Sequence, residues 1–149
     1  MQEWFSLLRE SRLRGFYISL PAAEKRLLAG LSRRILAAVR SCPLGFRPRT
    51  PAQFLWVAAA NALPRGHHSF AEKLLLHALQ VAGSERDRAC AHANLAQLYF
   101  ELRDRLPDAR EKCRRHCEAT LRSGLFTCWA TKLLKALEEG EAGGACRPV

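Results

Sequence analysis

"HANLAQLYFELRDRLPDAREKC", residues 92–113, decides the fold. Leu95, Ala96 and Tyr99 stand at i, i+1 and i+4, Ala109 follows ten residues after Tyr99, and Cys113 four residues later. Offsets of three and four bring side chains onto one helical face. Leu106-Pro107-Asp108 interrupts that spacing and opens a second helix. The stretch therefore reads as a helix, a turn and a helix. Small residues let the two backbones approach, while Leu and Tyr fill the space beside them.

The same punctuation extends in both directions. Trp4, Phe5 and Leu8 share one face of a first helix, which Gly15 and the turn to Pro21 are expected to end. From Pro21 a second helix places Leu27, Leu28, Leu31, Ile35 and Val39 at helical spacing, with Arg26, Arg33, Arg34 and Arg40 on other faces. Ser41 to Pro51 is a loop rich in proline. Thr50 caps the next helix, with Pro51 in its first position, and "AQFLWVAAANAL" is apolar enough to be covered on most sides. Pro64 to Gly66 close it. Ser69 to Glu72 form a capping box opening "FAEKLLLHALQVA", which Gly83 stops, and Ser84 to Asp87 form a weaker one. Gly124 ends the helix after Asp108, and a last helix runs to Gly140 before a flexible tail, 141–149.

Composition narrows the function. In 149 residues with 48% hydrophobic content there is one globular domain. No apolar run approaches the roughly 18 residues of a membrane span. The first residues lack the apolar run of a secretory signal, and Glu3 and Glu10 count against a mitochondrial presequence, so cytosol or nucleus is expected, with mitochondria the remaining alternative. The six cysteines are spread through helical patterns and read as reduced thiols, several in core positions. Residues 1–65 hold 11 Lys/Arg against 3 Asp/Glu, and residues 66–149 hold 13 against 11. Nearly all of the +10 charge thus lies in the first part, where Arg33, Arg34, Arg47 and Arg49 form a candidate phosphate-binding surface.

Other chemistry is sparse. Cys113, His116 and Cys117 share a helix face, and Cys90 or His92 could complete a zinc set, but two cysteines four apart in one helix are not a standard finger spacing. No metal or cofactor is expected. His67-His68 reads as a solvated turn. No phosphate loop, zincin or nucleophile-elbow motif occurs, so no catalytic residues are assigned and the chain is not expected to be an enzyme.

The helix pairs resemble the tetratricopeptide repeat (TPR) family. Leu95, Ala96 and Tyr99 match its Leu-Gly-Tyr spacing with Ala for Gly, and Ala109 matches its conserved Ala. Trp56, Ala59, Ala60 and Leu63 correspond to an earlier first helix, while Ala71, Leu75 and Ala78 parallel Ala109, Cys113 and His116. The resemblance covers two degenerate repeats. Ala71 and Ala109 lie 38 residues apart, against a family period of about 34. It implies an all-α fold of antiparallel hairpins stacked as a short right-handed array over 51–123. Basic helices and a loop, 1–50, and a helix at 125–140 would cap it in one domain, 1–140. A plain bundle of helical hairpins is the alternative. The resemblance further implies an adaptor or scaffold subunit that holds a partner peptide or helix in a groove lined by the first helix of each repeat. On that helix Asn94, Gln97 and Glu101 point outward beside the packing face. The second functional reading is a basic helical protein that binds nucleic-acid phosphates through its arginines.

Overall fold

Among the described residues every long segment with helical spacing forms a helix. The computed structural model describes residues 11–42 and 44–144, so the expected contributions of Trp4, Phe5 and Leu8, and of the last five residues, lie outside the described residues. Among the described residues there are seven α-helices, a 3-10 turn and no strand. They are α1 (Ser11–Ser19), α2 (Ala22–Ser41), α3 (Pro51–Ala62), α4 (His68–Val81), α5 (Glu85–Glu101), α6 (Ala109–Arg122) and α7 (Thr127–Gly144), with the 3-10 turn Leu63–Arg65 after α3. Each helix from α3 onward packs on the next; α3 also touches α5, and α5 touches α7. The odd-numbered helices from α3 to α7 therefore share one layer. The expected all-α fold of neighbouring packed helices is what forms.

Several ends follow the sequence. Thr50 Oγ1 accepts the Gln53 amide at 3.2 Å with Pro51 opening α3, and Ser84 Oγ accepts the Asp87 amide at 3.1 Å. Gly124 leaves α6 at φ +72°. Others correct it. Gly15 does not end α1, which runs through it to Ser19. The Ser69–Glu72 capping box does not form, because α4 already begins at His68, whose first turn is closed by the Ala71 amide on the His67 carbonyl. Gly66, at φ +79°, turns the chain early enough for that start. The Glu72 carboxylate is instead taken by the Tyr99 hydroxyl. The last helix continues past Gly140 to Gly144.

The core runs through α3 and α5. Ala52, Phe54, Leu55, Ala58, Ala59 and Ala62 are buried in α3, and Ala89, Ala91, Leu95, Ala96, Leu98 and Tyr99 in α5. Ala60, by contrast, is exposed. On α6 the buried stripe is Ala109, Cys113, Cys117 and Thr120, spaced i, i+4, i+8 and i+11, with charge elsewhere. Leu28, Leu31 and Ile35 face inward from α2. Phe16 of α1 stacks on His77 of α4 with centroids 4.2 Å apart, and Glu24 of α2 pairs with Lys73 of α4 at 2.7 Å. Burying a leucine side chain contributes about 1.5–3 kcal/mol, and the fully buried Leu55 of α3 and Leu95 and Leu98 of α5 put those two helices at the centre of the core.

Asp87 links them. Although only 3% exposed, it accepts from Thr50 Oγ1 at 3.0 Å and from Gln53 Nε2 at 3.1 Å. These bonds hold the first turns of α3 and α5 side by side. Asp87→Ala leaves both donors without their acceptor, and chemical denaturation is expected to show a loss of about 1–3 kcal/mol. A variant as stable as the wild type would show that solvent replaces the carboxylate.

Candidate functional site

The shared layer of α3, α5 and α7 frames an open cavity of about 370 Å³, lined by Trp56, Cys90, Ala93, Asn94, Gln97, Phe126 and Trp129. Its floor is the outward face of α5. Asn94 Nδ2 donates to the Cys90 carbonyl at 2.8 Å, and Gln97 Nε2 to Glu101 Oε1 at 3.3 Å, so each amide keeps its oxygen for another donor. Burial pushes the Cys90 thiol up, Arg86 opposes that shift, and Asp87 adds to it.

The walls are aromatic. Trp56 comes from α3, and its buried Nε1–H has no acceptor among the described residues. Phe46, 56% exposed in the preceding loop, packs against the Trp56 ring at 5.1 Å. On the opposite side Phe126 adopts φ +56° and remains 45% exposed. A non-glycine residue in that region is strained and recurs at ligand-binding positions. The Phe126 carbonyl accepts the Ala130 amide at 2.9 Å, and Ser123 Oγ accepts the Leu125 amide at 3.1 Å. Both bonds fix the turn that presents the ring. Trp129 follows one turn into α7.

Two of the three expected groove residues, Asn94 and Gln97, line this cavity; Glu101 does not. It ends α5, one turn beyond Gln97, where it meets Gln97 and His68 Nε2, the latter at 3.6 Å. The cavity instead lies over the middle of α5, where the start of α7 returns. Spacing along α5 could find the amides. It could not find Phe126 and Trp129, whose place depends on the Gly124 to Phe126 turn.

The basic residues are distributed differently. Arg33 and Arg34 lie exposed on α2, and Arg47 and Arg49 lie exposed in the loop before α3. The Arg49 amide donates to Gln53 Oε1 at 2.8 Å, which places that residue beside the start of the groove.

The zinc candidates separate. Cys113 and Cys117 are buried in the core, and Cys90 faces the cavity. Among the described residues no three His, Cys, Asp or Glu side chains are placed to hold a metal. The Cys117 S–H donates to Cys113, and keeping that bond, together with burial, pushes the Cys117 thiol up, so that sulfur stays protonated and a poor nucleophile.

His92 and His116 instead meet each other, Nδ1 to Nδ1 at 2.9 Å, with Tyr99 stacked on His116. One ring must donate and the other accept, so double protonation breaks the bond. Burial lowers both pKa values, helped at His92 by Arg122 and Arg88, and at His116 by His92, Arg115 and Lys112. For His116 the value falls from 6.5 to about 4. The neutral ring therefore contributes stability that is present above pH 6.5 and is lost as pH falls toward 4. After discounting for partial exposure, unfolding free energies from urea titrations at pH 7 and 5 are expected to differ by about 1–2 kcal/mol, and by less in His116→Gln. Equal losses in the two proteins would place the acid sensitivity elsewhere.

No helix among the described residues is long and apolar enough to cross a membrane. Comparison with family models, curated proteins and solved structures finds no match to this chain.

Proposed function

We propose that the chain is a protein–protein interaction module, an adaptor or scaffold subunit of a larger complex, working in the cytosol or nucleus and not as an enzyme. In this reading α3–α4 and α5–α6 are two TPR-like helix pairs, and α7 closes the array. A segment of a partner protein occupies the groove across α3, α5 and α7. One observation carries the reading: a cavity of about 370 Å³ whose walls are Trp56, Phe126 and Trp129 and whose floor offers the Asn94 and Gln97 amides. Apolar concavities with a few placed polar groups are where ligands bind. Aromatic residues that become buried on binding carry much of the energy of such contacts.

The test is site-specific photocrosslinking in cells. A benzophenone residue at Gln97 is expected to capture one protein in stoichiometric yield, and the same residue at Arg33 is not. Capture only from Arg33 would overturn the groove reading.

A second reading rests on α2. Arg26, Arg33 and Arg40 recur every seventh residue on its exposed face beside Arg34, and none has an ion-pair partner among the described residues. Such a stripe attracts phosphates. Nucleic-acid binding through four arginines would show a log–log salt slope of about −0.9 per phosphate contacted on duplex DNA.

A further inference from the structure

One end of the groove is basic and Glu101 stands beyond the other, and this sets the chemistry of what it holds. The inference rests on the groove reading above. Thr50 and Gln53 at the start of α3 both bond to Asp87 in the first turn of α5. Phe126 and Trp129 bring the start of α7 to the same cavity. The starts of α3 and α5 thus lie side by side at one end, where helix N-termini carry partial positive charge.

The side chains there reinforce it. Arg49 lies beside Gln53, and Arg86 lies close enough to Cys90 to act on its thiol. Both are exposed, and neither has an ion-pair partner among the described residues. The nearby acids are already engaged: Asp87 is buried under Thr50 and Gln53, and Glu85 pairs with Arg88 at 2.7 Å. At the far end of α5 the sign reverses at exposed Glu101. Along the groove lie Trp56, Ala93, Phe126 and Trp129, with Phe46 exposed against Trp56 in the loop.

We infer that the occupant is an amphipathic peptide segment of a partner protein. Its apolar side chains enter the cavity between Trp56, Phe126 and Trp129, and carboxylates at one of its ends lie over Arg49 and Arg86. The amide oxygens of Asn94 and Gln97 accept backbone N–H groups from its middle. A single-stranded nucleic acid fits less well, since its phosphates would run toward Glu101 and away from the cations.

The experiment is a selection of random 16-residue peptides displayed against the full chain. Selected peptides are then resynthesised and titrated by fluorescence anisotropy. The expected pool has an apolar centre and Asp or Glu clustered at one end. The double variant Arg49→Glu/Arg86→Glu, checked for native helicity by circular dichroism, is expected to bind these peptides about tenfold more weakly at low salt. A selection repeated on that variant should enrich Lys or Arg in place of the acids. Peptides that lose affinity in Asn94→Ala/Gln97→Ala yet carry no acidic bias and ignore the arginine variant would overturn the inference while keeping the groove. A selection that yields no peptide dependent on Asn94 and Gln97 would remove the groove reading as well. A labelled 16-nucleotide single strand that competes with the peptides, and loses affinity in both variants, would replace the peptide with nucleic acid.

Discussion

Replacing Leu95 with alanine is expected to lower the unfolding free energy by about 2–5 kcal/mol, the range for emptying a fully buried leucine site. Leu95 has no exposed surface and sits on α5, which touches α3, α4, α6 and α7. With neighbours on so many sides, the cavity has little room to collapse. The measurement is denaturant unfolding followed by helicity, with a lower midpoint and an unchanged slope. Ala96→Leu and Ala109→Leu probe the opposite error. Both alanines are fully buried, so added methyl groups should overpack their contacts and cost about 1–3 kcal/mol. If Leu95→Ala costs less than about 1 kcal/mol, α5 is not the element on which the other helices rest. An unchanged melting temperature in Ala109→Leu would count against the repeat alignment.

The second large effect separates binding from stability. Phe126→Gly is expected to weaken groove binding by at least about thirtyfold, the loss typical of an anchoring aromatic residue. Yet its melting temperature should hold or rise slightly. The ring is 45% exposed, so its removal forfeits limited packing. Its backbone lies at φ +56°, which glycine adopts without the roughly 1–2 kcal/mol that an L side chain incurs there. Anisotropy titration and a thermal melt on one preparation check both halves. A melting temperature that falls in step with affinity would make Phe126 a packing residue.

Much of the fold was legible, because its signals are local. Thr50 with Pro51, Ser84 and Gly124 each act through one turn of backbone, and each does what its neighbours in sequence imply. The errors occur where a distant group competes. Ser69 and Glu72 have the spacing of a capping box, but Tyr99, 27 residues away, takes the carboxylate. Gly15 has open space beside it and interrupts nothing. For the groove, helical spacing placed Asn94 and Gln97 on the outward face of α5. The same spacing added Glu101, because it says nothing of where along α5 the next layer crosses. Trp56 and Cys90 were visible as residues but were assigned to a repeat position and a zinc set. Their shared cavity exists only once α7 lies across α5.

That order of packing bears on how the chain acquires its shape. From α2 onward, helices adjacent in sequence are adjacent in space, so native contacts close short loops, and folding belongs in the microsecond-to-millisecond range of low-contact-order proteins. During synthesis, N-terminal units fold first. The α3–α4 hairpin can pair while α6 and α7 are still within the ribosome, and each later helix finds a finished surface waiting for it. The wall formed by Phe126 and Trp129 follows α6 out of the ribosome. A nascent chain therefore passes through states that are largely helical but lack that aromatic wall, and docking of α7 is the step that completes the cavity.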